Sequence, residues 1–264
     1  MLDIIIGIFV FLIGLSIGSF ANVCIYRIPR KMSIVKPRSQ CPACGQPIRP
    51  LHNIPLLSYL FLRGKCDYCG AVIGIRYPLV EFICGLLFLF AYYDLYIVSD
   101  NIYMLLVGFY LSTVFLIMFF IDVDFQIIPD SLSLSGIVLG VAASFLPGVR
   151  LGWLDSVIGL FVGGALFLAV AVMGDKIFKK ESMGGGDIKL AAMLGAFLGW
   201  QGILLVLVIG SFFGALIGGI MLIMAKDKES AHTIPFGPYL VTAALIVFYR
   251  GNELIAAYLK FIGR

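Results

Sequence analysis

The sequence predicts an all-α polytopic membrane protein, and three observations predict it. Hydrophobic residues make up 61% of the 264 residues and charged residues only 13%, with a mean hydropathy of +1.05. That leaves too few polar residues to coat a globule of this size. The apolar residues come in runs long enough to cross a hydrocarbon core of roughly 30 Å as helices. Lys and Arg gather in the segments between the runs. Together these give about eight transmembrane helices, with a cytoplasmic loop module stabilised by zinc.

The first run, "IIIGIFVFLIGLSIGSFANV", is followed by Arg27. It starts with Met1-Leu2-Asp3 rather than a basic stretch and is longer than the apolar part of a cleaved signal, so a retained anchor over 1–26 is expected. Nine Lys/Arg lie between Arg27 and Arg76 against one acid, Asp67. A positive-inside loop explains this better than a nucleic-acid patch, which puts 27–78 in the cytoplasm and the N-terminus outside. Further spans are expected near 79–98, 102–121, 131–147, 154–174, 190–200, 203–225 and 238–250. The last long apolar run is split at Trp200-Gln201-Gly202, because a single helix from Ala191 to Ala225 would overshoot a bilayer. The layout places Lys176, Lys179, Lys180, Lys189, Lys226 and Lys228 in cytoplasmic loops; Arg150, Arg250, Lys260 and Arg264 fall elsewhere. Glycines at 159, 163–164, 214 and 218–219 have the spacing of tightly packed helices.

The loop at 27–78 carries two C-x2-C pairs, Cys41/Cys44 and Cys66/Cys69, separated by 21 residues and each followed by glycine (Gly45, Gly70). Four thiolates suit one tetrahedral zinc in a closed, structural shell. Disulfides are disfavoured in a reducing compartment. Metal would also supply stability that a loop with so few large apolar residues cannot build. Cys24 and Cys84 sit in apolar runs as small hydrophobes; His52 reads as a surface residue, and His232 carries no special role.

The second charged cluster is "FFIDVDFQIIPDSLSLS" (Phe119–Ser135), with Asp122, Asp124 and Asp130 at the cytoplasmic end of the third span. "GGGD" (Gly184–Asp187) puts another carboxylate at the same side and a similar depth. Carboxylates at membrane depth are costly and mark function. Two that approach each other share a proton and can activate water, as in aspartic proteases. An ion or proton pathway uses carboxylates in the same way, and spacing alone leaves the two readings open. Asp130 can also cap the helix that follows it. Asp175, Glu181, Asp227 and Glu229 read as solvated charges.

These residues resemble a known family. "GGGD" fits the G-x-G-D signature of membrane aspartic proteases, and "DVDFQIIPD" is similar to the first-aspartate box of type IV prepilin peptidases, an Asp seven residues before a Pro-Asp pair. "GSFANVCIYRIPR" (Gly18–Arg30), "IGIRYPLVE" (Ile73–Glu81) and "PFGPYL" (Pro235–Leu240) resemble further motifs in the family's order, with Ala21 a conservative departure. The resemblance implies Asp122 and Asp187 as the catalytic pair, with Asp124 a neighbour and Pro129-Asp130 closing the box. It implies a bifunctional enzyme of the bacterial cytoplasmic (inner) membrane, with active sites facing the cytoplasm. Such an enzyme cuts the basic leader from prepilins and pseudopilins after a glycine, then methylates the new N-terminal residue, usually Phe, with S-adenosylmethionine. The zinc loop separates bifunctional members from shorter peptidases, so 27–78 is the expected methyltransferase part and 79–264 the peptidase domain. Arg76 and Glu81 become the candidate residues for methyl transfer and its cofactor. Gly184 and Gly186 let the chain approach a substrate in conformations closed to other residues, Lys189 holds charge nearby, and the acidic cluster suits a basic leader. The partners are then prepilins and the bilayer, not nucleic acid. Rival readings are an intramembrane protease of the signal-peptide-peptidase kind, which lacks the zinc pairs and the D-x6-P-D box, and a carboxylate-based transporter.

Overall fold

The computed structural model describes residues 2–149, 151–179, 183–224, 235–261 and 263. Arg150, Lys180, Glu181, Lys226, Asp227, Lys228, Glu229, His232 and Arg264 lie outside the described residues. The main helices are α1 (Leu2–Arg27), α2 (Leu57–Phe61), α3 (Arg76–Ala91), α4 (Ile102–Phe125), α5 (Asp130–Ala143), α6 (Trp153–Phe178), α7 (Gly185–Met224) and α8 (Gly237–Phe261). A 3-10 turn (Pro50–Asn53) precedes α2, and a π-helical stretch (Tyr92–Val98) continues α3. The described residues hold no strand beyond two isolated bridges.

Among the described residues six helices are long and apolar enough to cross a membrane: Leu2–Arg27, Arg76–Val98, Ile102–Phe125, Trp153–Ile177, Gly185–Ile220 and Gly237–Phe261. Each of the eight expected apolar segments is helical over most of its described length, α5 stopping at Ala143, but two do not stand as separate crossings. α5 has 14 residues and reaches only about 21 Å at 1.5 Å per residue. The segments expected at 190–200 and 203–225 belong to one 40-residue helix, α7, which breaks at Gly199. There the backbone takes φ 72° and ψ 178°. A Cβ at that position would also lie 2.8 Å from a Leu151 methyl, so glycine alone fits. The break falls one residue before the expected Trp200.

The chain forms two compact units, Met1–Ile117 and Met118–Arg264. In the first, α1 and α3 pack backbone to backbone. A Cβ on Gly14 would meet the Gly85 Cα at 2.8 Å, and one on Gly18 would meet the Glu81 Cα at 2.7 Å. Small residues thus replace the hydrophobic drive that lipid removes. α3 reaches α4 through Phe88 and Phe109, whose rings stack at 4.2 Å.

In the second unit α7 packs against α5, α6 and α8. Gly159 and Gly163 of α6 oppose the Gly195 and Ala191 carbonyls of α7 with no room for a Cβ, while the Ser156 hydroxyl donates to the Ala196 carbonyl at 2.7 Å. Gly164 and Gly214 make ordinary contacts, Gly218 is buried, and a Cβ on Gly219 would meet no described neighbour.

Candidate functional site

The two expected carboxylates both belong to the second unit. Asp122 sits in the last turn of α4 and is buried, 5% exposed. The helix ends three residues later, where Gln126 turns left-handed (φ 53°) and its N–H closes onto the Asp122 carbonyl at 2.9 Å. That stop sends "QIIP" across as a short connection into α5. Asp187 lies in the first turn of α7, half-buried, with its N–H donating to the Gly184 carbonyl at 3.1 Å. The two carboxyls lie within electrostatic range of each other.

A third element completes the arrangement. The N–H of Gly237, at the start of α8, donates to Oδ2 of Asp122 at 2.9 Å. A Cβ on Gly237 would lie 2.6 Å from that oxygen, so the approach is open only to glycine. The sequence offers "PFGPYL" as a motif without a task for its glycine, and no periodicity points to one. The contact spans 115 positions of chain.

The flanking residues take other parts. Lys189 donates to both carboxylate oxygens of Asp130 at 2.7 and 2.8 Å, so its charge goes to the closing Asp of the "DVDFQIIPD" box rather than to the dyad. Asp130 is the first residue of α5 behind Pro129 and makes no side-chain cap, contrary to the capping expectation. With Lys189 on it, Asp130 adds less net negative charge to the acidic cluster. Asp124 is exposed. None of Gly184, Gly185 and Gly186 is left-handed, so conformational freedom is not what they supply. Space is what matters at Gly186, where a Cβ would press within 3.0 Å of the Ile128 side chain.

In the first unit Cys41, Cys44, Cys66 and Cys69 converge, with all four sulfurs within 4.8 Å of one another and Cys41 and Cys69 3.9 Å apart. Tetrahedral zinc with arms of about 2.3 Å needs sulfurs roughly 3.8 Å apart, so the set fits the metal. The two halves are built alike. Gly45 and Gly70 turn left-handed at φ 71° and 70°, their N–H groups reach the Cys41 and Cys66 carbonyls, and the N–H groups of Cys41 and Cys66 pair with Gln46 and Ala71. The amides of Cys44 and Ala43 face the Cys41 sulfur and hold its thiol down to about 7, favouring the thiolate a metal requires. His52 is not in the cluster; it is half-buried, with Nδ1 3.5 Å from Asp67. Cys24 and Cys84 are buried and free.

Beside the cluster lies a cavity of about 350 Å³, lined by residues including Asn22 and Arg27 of α1, Tyr77 and Glu81 of α3, and Cys41 and Tyr68 of the cysteine loops. Glu81 is thus at a cavity wall, whereas Arg76, at the start of α3, does not line it.

Comparison with known proteins decides the family. Residues 12–95 match the model of the bacterial peptidase A24 N-terminal domain, and residues 109–219 that of the type IV leader peptidase family. A Pseudomonas aeruginosa protein named prepilin leader peptidase/N-methyltransferase is 38% identical over 96% of this chain and 93% of its own length. The chain belongs to the prepilin leader peptidase/N-methyltransferase family. Membership makes it an enzyme, a peptidase that also methylates. Two further family members bearing the same name are a Stutzerimonas stutzeri protein, 39% identical over 94% of this chain and 92% of the relative, and a Myxococcus xanthus protein. The latter is 42% identical over 86% of this chain and 66% of its own length. No solved structure matches this prepilin-peptidase-family chain.

Proposed function

We propose that this chain cuts the basic leader from prepilins and pseudopilins with Asp122 and Asp187 acting as a dyad. It then methylates the new N-terminus, usually Phe, with S-adenosylmethionine. The observation that carries the peptidase half is the convergence of the α4 end, the α7 start and the α8 start on two carboxyls within electrostatic range.

The chemistry follows from that pairing. Two carboxyls in a partly desolvated groove do not both ionise, so one holds a proton while the other acts as base. The ionised member takes a proton from water, and the oxygen adds to the carbonyl of the leader's terminal glycine. The protonated member donates to the carbonyl oxygen; as the C–N bond breaks, the member that took the water's proton gives it to the leaving amine, and the carbonyl oxygen's proton returns to its first holder. The pair titrates as a unit, so the base is a property of the dyad rather than of one residue. Gly237 holds Oδ2 of Asp122, which restrains that carboxyl and leaves Oδ1 as its other acceptor. The Lys189–Asp130 pair ties the box of Asp122 to the helix of Asp187.

The cytoplasmic orientation rests on the nine basic residues of 27–78 and on positive-inside placement in a bacterial inner membrane. The four-cysteine cluster holds structural zinc, which shapes 27–78 as the methyltransferase part; Met118–Arg264 carries the peptidase. Co-expression with a prepilin tests the whole reading. Mass spectrometry of the product's N-terminus should show a leaderless, singly methylated residue. An uncut prepilin with wild-type enzyme in the membrane would refute the peptidase, and a cut but unmethylated product would refute the second activity.

A further inference from the structure

Besides the Arg49–Asp67 ion pair at 3.7 Å, the cavity next to the four-cysteine cluster is lined by two opposite charges that do not pair, Arg27 and Glu81. Arg27 is 6% exposed. It donates to the carbonyls of Ser33 at 2.9 Å and Arg38 at 3.4 Å and has no carboxylate partner among the described residues. Glu81 is half-buried, and its Oε2 accepts the Leu56 N–H at 2.9 Å. Both line the same cavity. A guanidinium and a carboxylate withdrawn from water are each costly, and the least costly arrangement would pair them. A cavity that keeps them apart is complementary to a ligand system with an anionic group at one end and a protonated amine at the other.

The surroundings of Glu81 are built to hold it there. Gly18 lets α1 lie against the Glu81 backbone, since a Cβ would stand 2.7 Å from the Glu81 Cα. Leu56, whose amide binds Glu81, is itself left-handed at φ 60°. A non-glycine residue in that region is strained, and strain of this kind is retained where surrounding structure and function require it.

Resting on the methyl-transfer half of the reading above, we propose that this cavity is the methyl-transfer chamber, in which Arg27 binds the carboxylate of S-adenosylmethionine and Glu81 takes the proton of the acceptor amine. The volume of about 350 Å³ lies within the roughly 300–1,000 Å³ usual for small-molecule pockets. Bound there, S-adenosylmethionine supplies an electrophilic methyl on a sulfonium. The new N-terminus enters as an ammonium, which has no lone pair. Glu81 removes one proton, the freed lone pair forms the N–C bond, and the C–S bond breaks with its electrons kept by sulfur as the neutral thioether. Arg27 contributes a planar pair of N–H donors suited to a carboxylate.

The test uses the full chain in detergent, with S-adenosylhomocysteine as a non-reacting probe measured by calorimetry and prepilin products read by mass spectrometry. Glu81→Gln should yield cleaved but unmethylated product, with Glu81→Asp restoring part of the methylation. Arg27→Met should weaken probe binding by about 10–100-fold, the loss expected for a charge-assisted hydrogen-bonded pair. Wild-type methylation by Glu81→Gln, or wild-type probe binding by Arg27→Met, overturns the assignment. Photo-crosslinking of labelled S-adenosylmethionine to the wild-type chain covers a variant that fails to fold. Label should fall on peptides within 19–81, and label confined to 118–264 overturns the chamber. A wild-type chain that neither binds the probe nor methylates refutes the methyltransferase reading itself, a different result from either variant failing.

Discussion

The backbone N–H of Gly237 donates to Oδ2 of Asp122 at 2.9 Å, joining the first residue of α8 to the last turn of α4. The bond satisfies one oxygen of a buried carboxyl and sets its orientation. It also explains why "PFGP" carries a glycine where the next residue is Pro238, since a side chain would occupy the space of the carboxylate oxygen.

Gly237→Ala should therefore impair leader cleavage without removing either carboxylate. The added methyl stands 2.6 Å from Oδ2 and forces the Asp122 side chain aside. A displacement of that order costs on the order of 10²-fold in rate. Cleavage kinetics on a prepilin substrate check it, and an unchanged kcat would mean that the carboxyl does not depend on this contact.

Asp122→Asn and Asp187→Asn should each lower cleavage by at least roughly 10³-fold, since each removes half of a shared general acid–base system. Methylation of a synthetic peptide that already lacks its leader should persist in both. A variant that still cleaves at an appreciable rate would sink the dyad.

Lys189→Met tests a supporting role. The ammonium pairs with Asp130 across a largely exposed contact, with 41% and 57% of the two side chains accessible. A pair of that kind contributes no more than about 1 kcal/mol. Cleavage should drop only a few-fold, and thermal stability should change little. A loss as large as that of Asp122→Asn would make Lys189 part of the chemistry itself.

Replacing Cys41 and Cys44 by Ser should abolish zinc binding, measured as metal content per chain, and with it methylation. The dyad lies in the other compact unit, so leader cleavage should survive. Chelation of the wild-type protein should reproduce the double variant.

Much of this is legible in the residues. The four-cysteine set is readable because its spacing carries its own geometry: each C-x2-C-G closes locally through Gly45 or Gly70, and the two turns bring four sulfurs to a spacing that fits one metal. Asp122 and Asp187 are readable as charges at the ends of apolar runs, where their cost makes them conspicuous. The split of α7 is legible to within a residue, from the impossible length of a straight helix and a glycine near the right place. The glycines before Asp187 mislead as to their reason. They suggest backbone freedom, yet Gly186 matters for the room it leaves Ile128.

The sequence by itself determined the class of the protein, its four-cysteine set and the two carboxylates, because hydropathy, charge and local spacing are written into neighbouring residues. Only the tertiary structure decided what those groups meet. The Gly237 amide on Asp122, Lys189 on Asp130, and Arg27 with Glu81 around one cavity are contacts between residues far apart in the chain. Such contacts depend on how closely helices pack, and that closeness is set by glycines whose effect is visible only once a second backbone lies against them.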